Sequence, residues 1–301
     1  MTHQYVIFTK IDRRYAKTIC AGEKMRQVYP NDHPKKVKDR ERFKEIVSII
    51  RGEFKDADEW IREHRLHRGQ MNAIGRHRLE KCGMLEFLDK IYHYHKSTGI
   101  NIGLAYVLWH YIETNTPQYF LELGTGVSTH IIAEAMKRFC YDKYDGDIKL
   151  VSMESDKGWY EEALKHPTDD FVEIVLSPME ESRVGLFLSN GYREIPDYQY
   201  DTVFLDGPSQ DAVVNLDVVD ISKRIEKDFV VIIDSRIQTV LALFLIYGSK
   251  YLNRLGNVFL LGPINKYTLE KYVPSGENRL HDLVQERIAQ LILPHIESGI
   301  E

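Results

Sequence analysis

The sequence is poor in cysteine and has no long apolar run, and each shortage excludes a class of protein. Its three cysteines, Cys20, Cys82 and Cys140, lie far apart. Their spacing and odd number match neither a disulfide framework nor a zinc site. The longest apolar stretch, at residues 240–247, is far shorter than the ~20 residues of a membrane span. The start of the chain lacks a basic region followed by an apolar core, so no signal peptide is visible. These features predict a cytoplasmic protein with reduced thiols and no membrane association.

Positive charge is scarce in the second part of the chain. Residues 1–116 carry 22 Lys and Arg against 15 Asp and Glu, whereas residues 117–301 carry 18 against 30. This asymmetry predicts a basic N-terminal part in front of an acidic domain. The basic residues fit solvated helix faces. The alternative is a surface for an acidic partner such as RNA, a nucleotide sugar or a phosphorylated glycan.

The periodicity of apolar residues divides the chain into two regions. Residues 1–99 predict a mainly helical extension, with helices at 36–54, 56–64 and 78–94. A helix at 101–114 then leads into residues 100–301, where strands and helices alternate. Strands are predicted at 119–123, 148–153, 171–176, 200–205 and 229–234, helices at 215–225 and 238–251, a hairpin at 258–261 and 267–273, and a terminal helix at 280–293. This order predicts an α/β fold with a doubly wound, mostly parallel seven-stranded sheet.

The most informative stretch is the first strand and the glycine turn after it, residues 119–130. Gly124 and Gly126 make a tight turn, and Ser128 or Thr129 is placed to cap the following helix. A strand, glycine turn and helix N-terminus form a nucleotide-type binding corner. Glu122, however, would repel a pyrophosphate, and Thr129 stands where a dinucleotide site has its third glycine. The pattern favours a ligand with positive charge and no phosphate, which S-adenosylmethionine satisfies. The alternative is an ordinary turn with a solvated Glu122.

This stretch resembles motif I, E/D-x-G-x-G, of the class I S-adenosylmethionine-dependent methyltransferases. Glu154, at the end of the second strand, is placed to accept hydrogen bonds from both ribose hydroxyls; a cap of the next helix is the alternative. The resemblance implies that Met179 and Glu180, after the third strand, contact the adenine. It also implies that the hairpin closes one edge of the sheet. The full set of implied cofactor-binding residues is Glu122, Gly124, Thr125, Gly126, Ser128, Glu154, Ser155, Met179, Glu180 and Asp206.

Two later apolar strands each end in an aspartate, Asp206 and Asp234. On neighbouring parallel strands both carboxylates would lie at one edge of the sheet, where they can hold a cation or act as acid and base. The segments resemble the catechol O-methyltransferase-like group, which binds magnesium there, and a set of bacterial methyltransferases with an Asp-Gly-Pro motif. The third ligand position holds Ser235, and the Lys that follows the first Asp in catechol-type enzymes has no match in residues 207–210. Asp206 and Asp234 are therefore predicted to be catalytic, with or without magnesium. A helix cap is the alternative for Asp234.

Together these features predict an S-adenosylmethionine-dependent enzyme that methylates a hydroxyl group of a small molecule or glycan. Methyl transfer needs mainly positioning, so the sequence indicates the cofactor better than the acceptor. Two alternatives stay open: an RNA methyltransferase that uses the basic N-terminal part, and a non-catalytic nucleotide-binding module of the same fold. The amphipathic terminal helix has two alternative partners: the sheet of its own chain, or a second subunit in a homodimer.

Overall fold

The computed structural model describes residues 71–94, 100–166, 168–184, 187–207, 214–234, 236–247, 251–255 and 258–270. The helices are α1 (Met84–Tyr94), α2 (Ile102–Asn115), α3 (Val127–Phe139), α4 (Lys157–Ala163), α5 (Asp217–Ser222), α6 (Ile237–Tyr247) and α7 (Lys266–Glu270). The strands are β1 (Tyr119–Leu123), β2 (Lys149–Glu154), β3 (Val172–Leu176), β4 (Met179–Val184), β5 (Phe187–Tyr192), β6 (Thr202–Leu205), β7 (Phe229–Asp234), β8 (Leu252–Leu255) and β9 (Val258–Ile264). The helices predicted at 36–54, 56–64 and 280–293 lie outside the described residues.

A seven-stranded sheet in the order β3-β2-β1-β6-β7-β9-β8 forms the centre of the molecule. The first five strands in this order (β3, β2, β1, β6 and β7) are parallel, and β9 runs antiparallel to both of its neighbours. The predicted fold class is confirmed, including the antiparallel hairpin at one edge. The strand order reverses direction between β1 and β6. In open α/β sheets, ligands bind at such a switch point, outside the carboxyl ends of the strands.

Both faces of the sheet are buried, as expected of central parallel strands. Alternate residues of β1 belong to different cores: Leu121 and Leu123 face α5 and α6, whereas Phe120 faces α2 and α3. Glu122 shares the parity of Phe120, so it points toward α3. The strand thereby carries a carboxylate into an otherwise apolar layer, directly below the glycine turn.

The described part of the N-terminal extension packs into the core that Phe120 forms with α2 and α3. Residues 71–81 are helical, and Leu79, Met84 and Leu88 are buried together with the apolar side chains of α2 and α3. The single helix predicted at 78–94 is wrong, because the chain turns at Gly83, whose φ is +75°, before α1 begins. The domain division at residue 99 stays a prediction. None of the helices in the described ranges has the length and apolar character that a membrane span requires.

Two other predictions about elements are wrong. The hairpin consists of β8 and β9 instead of residues 258–261 and 267–273, and Tyr267 lies in α7. Residues 177–181, predicted as a turn, lead into β4, which pairs antiparallel with β5 in a separate two-stranded sheet. This β4–β5 hairpin occupies the connection between β3 and β6, where parallel strands more often have a crossover helix.

Candidate functional site

The glycine turn after β1 lies against the loop after β6, at the switch point of the sheet. Gly124 has φ +117°, and a Cβ placed on it would lie 3.0 Å from the backbone nitrogen of Gly207. Its N–H donates to the carbonyl of Met153 (3.1 Å), and the Thr125 hydroxyl donates to the same carbonyl (3.2 Å). A glycine is therefore required at 124 for both backbone conformation and space.

The cap of the helix after this turn differs from the prediction. Gly126 itself occupies the N-cap position of α3, and its N–H donates to the Thr129 hydroxyl (3.1 Å). Ser128 is buried inside the first turn of the helix. The prediction that Ser128 or Thr129 is the N-cap residue is thus wrong, although Thr129 does hold the turn to the helix.

Glu122 lies fully buried under the glycine turn. In the parallel register of β1 and β2 it stands beside Ser152. Its Oε2 accepts hydrogen bonds from the hydroxyls of Ser152 (2.7 Å) and Thr129 (2.6 Å). Burial raises the pKa of this carboxyl to about 7, although the hydroxyls of Ser128, Thr129 and Ser152 lower it; the charge of Asp206 adds to the rise. The other oxygen, Oε1, is buried and makes no hydrogen bond of good geometry within the described part of the chain.

Glu154 ends β2 beside the glycine turn, as predicted from the sequence. Its Oε1 accepts hydrogen bonds from the backbone N–H groups of Ser155 (2.7 Å) and Asp156 (2.8 Å). Burial raises the pKa of this carboxyl, while the N–H groups of Asp156, Ser155 and Thr125 lower it. A carboxylate offers about four acceptor positions, so Glu154 retains capacity for further donors at the carboxyl edge. Ser155 itself is exposed there.

Asp206 and Asp234 meet at the carboxyl edge, because Leu205 of β6 is in register with Ile233 of β7. The Asp206 side chain is 35% exposed. Burial nevertheless raises its pKa to about 6, an effect that Arg236 opposes and Asp234 reinforces. The Arg236 guanidinium donates to the backbone carbonyl of Asp206 and, at 3.1 Å, to its Oδ1. Sequence reasoning missed Arg236; its position two residues after Asp234 was the available signal.

The hypothesis of a magnesium site on Asp206 and Asp234 gains no support. Within the described residues, no three His, Cys, Asp or Glu side chains form a group that could hold a metal ion. The position next to the Asp206 carboxylate is taken by a guanidinium, which supplies the positive charge that a metal would bring.

Met179 and Glu180 lie on β4 instead of in a loop. Glu180 is exposed and forms an ion pair with Arg193 (2.5 Å). Met179 is opposite Tyr192 in the β4–β5 hairpin and packs against the core that contains Met153. The assignment of both residues to adenine stays a prediction.

Two buried residues near the site carried no sequence signal. Tyr192 ends β5 and donates its hydroxyl to the carbonyl of Met153 (3.2 Å). Asp217, in the first turn of α5, accepts the Tyr192 N–H (3.1 Å) and the side-chain amide of Asn215 (2.9 Å). Burial raises the pKa of Asp217 to about 7. These contacts tie the β4–β5 hairpin to the sheet and to α5.

No protein-family model matches the chain, and no curated protein matches it in sequence. Similar structures include a methyltransferase-like protein from Silicibacter pomeroyi, with a TM-score of 0.41, 15% identity and coverage of 64% of this chain and 97% of that one. The O-methyltransferase TomG from Streptomyces achromogenes, in complex with S-adenosylmethionine, has a TM-score of 0.38, 14% identity and coverage of 56% and 83%.

A further similar structure is the O-methyltransferase from Bacillus cereus in complex with S-adenosylhomocysteine. Its TM-score is 0.37 and its identity 15%, over 62% of this chain and 90% of that one. Similarities this distant do not decide an activity. The topology itself is decisive for the architecture: a mostly parallel sheet closed at one edge by an antiparallel hairpin is the Rossmann-like fold that resemblance to the class I methyltransferases implies.

Proposed function

We propose that this protein is an S-adenosylmethionine-dependent methyltransferase that acts on a hydroxyl group of a small molecule or a glycan. The observation that carries the proposal is the Glu122 carboxylate under the glycine turn, whose Oε1 is buried and makes no hydrogen bond of good geometry in the described part of the chain. An unsatisfied buried carboxylate oxygen is costly unless a donor reaches it. A cationic ligand satisfies it, whereas the pyrophosphate of a dinucleotide is repelled.

The residues of the turn fit this cofactor. Glu122 and the Gly124–Thr125 backbone would hold its charged amino-acid part, and Glu154 would accept its ribose hydroxyls. When bound, S-adenosylmethionine supplies a methyl group activated by a positively charged sulfur. The free thiols of Cys82 and Cys140 fit the cytoplasmic location that we also propose.

Asp206 is the proposed base for the acceptor. Its pKa of about 6 keeps the carboxyl mostly ionised at neutral pH and makes it a stronger base than an ordinary Asp. The hydrogen bond from Arg236 fixes its position, and Asp234 lies beside it. Together these groups can hold an acceptor hydroxyl and accept its proton.

Calorimetry with S-adenosylmethionine, S-adenosylhomocysteine and NAD tests the cofactor. We expect the first two to bind and NAD not to bind; tight binding of NAD alone would overturn the proposal. Gly124→Val should abolish binding because its Cβ meets Gly207. Gly146→Val is the matched control, since Gly146 also has a positive φ, +81°, and the atoms nearest to its Cβ would be those of the Tyr141 side chain.

Asp206→Asn tests the proposed base. Once screening has identified an acceptor, the variant should lose methyl transfer by about 10²–10⁴-fold, the usual contribution of a general base, while its cofactor affinity changes little. Full activity of the variant would show that the assignment is wrong. A chelator should leave the wild-type rate unchanged; loss of activity that magnesium restores would instead establish the metal role.

A further inference from the structure

Tyr192 brings the β4–β5 hairpin into contact with the glycine turn. It is the last residue of β5, and its ring is buried in the core beside Leu123, Met153 and Leu205. Its hydroxyl donates to the Met153 carbonyl at 3.2 Å. That carbonyl also accepts the Gly124 N–H and the Thr125 hydroxyl. A single carbonyl of β2 therefore links the hairpin to the turn after β1.

The same hydroxyl also lies close to Gly207, in the loop that follows β6. A Cβ placed on Gly207 would lie 3.7 Å from the Tyr192 hydroxyl and 3.6 Å from the Cα of Gly124. The Gly207 N–H donates to the carbonyl of Leu123 (2.7 Å). The Tyr192 hydroxyl thus stands under the junction of the two loops that border the switch point of the sheet.

Burial, together with nearby negative charge, keeps this hydroxyl protonated. Burial raises the pKa of Tyr192, and the carboxylates of Glu154, Asp217, Glu122 and Asp206 raise it further. The group acts as a neutral hydrogen-bond donor at any physiological pH. The backbone N–H of Tyr192 donates to the Asp217 carboxylate. Tyr192 is therefore held at its backbone by Asp217 and at its hydroxyl by the Met153 carbonyl.

We propose that Tyr192 is a positioning residue of the cofactor site: through the Met153 carbonyl its hydroxyl fixes the Gly124–Thr125 turn on which the cofactor rests. The inference rests on the proposed function. This role of Tyr192 makes the β4–β5 hairpin part of the binding site. The hairpin lies in the connection between β3 and β6, which contains no helix in the described residues.

Tyr192→Phe tests this role, because it removes the hydroxyl and keeps the ring. Tyr200→Phe is the matched control: Tyr200 is buried in the same core and donates to a backbone carbonyl, that of Pro196 (2.8 Å). We expect Tyr192→Phe to weaken binding of S-adenosylhomocysteine by several-fold and at most about tenfold, because the ligand must then order the turn and the free energy of one hydrogen bond is the upper limit of that cost. The control should bind as the wild type does, and melting temperatures should fall similarly in both variants.

Hydrogen exchange of the ligand-free protein gives a second measurement that does not depend on the cofactor. The amides of residues 123–126 should exchange faster in Tyr192→Phe than in the wild type, and should be unchanged in Tyr200→Phe. Unchanged affinity and exchange in Tyr192→Phe, or equal losses in both variants, would overturn the inference. Absence of wild-type binding to S-adenosylhomocysteine would contradict the proposed function instead, and the exchange measurement would still decide whether Tyr192 holds the turn.

Discussion

At the residue scale, the site contains carboxyl groups whose pKa is raised by burial. Glu122 is the clearest case, because it is fully buried and its pKa is about 7. A buried carboxylate lowers the stability of a fold unless it is paired. This carboxylate lies beneath the turn where the proposed ligand brings a positive charge. We infer that Glu122 lowers the stability of the fold and raises the affinity for the ligand.

Glu122→Gln should separate stability from binding. The folded-state pKa exceeds the ordinary 4.5, so the wild type loses stability as the pH rises from about 4.5 to 7 and the variant does not. At pH 8 the free energy of unfolding should be higher in the variant by about 1–3 kcal/mol, whereas the affinity for S-adenosylmethionine should fall at least tenfold. Denaturant unfolding and calorimetry measure the two effects.

Proton release provides the control for this interpretation. A cation beside Glu122 lowers its pKa, so binding of S-adenosylmethionine to the wild type at pH 7 should release protons. Calorimetry in buffers of different ionisation enthalpy detects this release, which should shrink in Glu122→Gln. Equal affinity and equal proton release in the two proteins would show that Glu122 does not contact the ligand's charge.

The sequence was sufficient for residues whose position follows from strand ends alone. Glu122, Glu154, Asp206 and Asp234 follow from apolar runs that end at one edge of a parallel sheet, and the register places Asp206 beside Asp234. Arg236, Tyr192 and Asp217 could not be found in this way. Their roles depend on which partner they meet across the fold, and no local period encodes a contact such as that between Tyr192 and Met153, 39 residues apart.

At the element scale, β1 and β7 have the predicted bounds, because both are mostly apolar: β1 contains one charged residue, Glu122, and β7 ends in one, Asp234. The β4–β5 hairpin was missed for the opposite reason. Residues 179–184 hold two Glu, a Ser and an Arg, a composition that favours no strand. The hairpin is stabilised instead by tertiary contacts, chiefly the buried network of Tyr192, Asp217 and Asn215.

That network should make the stability of the hairpin depend on pH. The pKa of Asp217 is about 7 in the folded chain, above its ordinary 3.8, so its contribution falls as the pH rises from about 4 to 7 and is constant above that. At pH 5, Asp217→Asn should be less stable than the wild type by about 1 kcal/mol, because a donor replaces one acceptor. At pH 8 the difference should narrow or reverse.

Urea unfolding of both proteins at pH 5 and pH 8 measures this change. Asp220→Asn is the control on the same helix: Asp220 is exposed and pairs with Lys223 at the surface. Its substitution should alter stability by less than about 0.5 kcal/mol at either pH. A constant difference between wild type and Asp217→Asn across the two pH values would contradict the assigned pKa.

At the scale of the whole molecule, the described part of the N-terminal extension, residues 71–94, shares one core with the sheet. Leu79, Met84 and Leu88 are 1%, 0% and 2% exposed and pack with α2 and α3. The Arg138 side chain adds a link, since it donates to the Cys82 carbonyl (3.2 Å) and lies over the Trp109 ring. The sequence predicted a basic, mainly helical extension at residues 1–99, but charge and periodicity do not show which of its few apolar residues pack inward.

Two truncations test how far the core extends. A chain that begins at residue 71 keeps the three buried side chains and should fold and bind S-adenosylhomocysteine as the full chain does. A chain that begins at residue 100 uncovers the apolar face beneath them. Since each such side chain contributes about 1.5–3 kcal/mol on burial, this chain should bind a hydrophobic dye and melt at a much lower temperature. A soluble, fully active chain beginning at residue 100 would contradict the shared core.

The same truncation at residue 71 tests whether residues 1–70 recruit an acidic acceptor. If they do, the chain beginning at residue 71 should still bind the cofactor but should have a lower affinity for the acceptor. In the full chain, the affinity for the acceptor should fall with added salt.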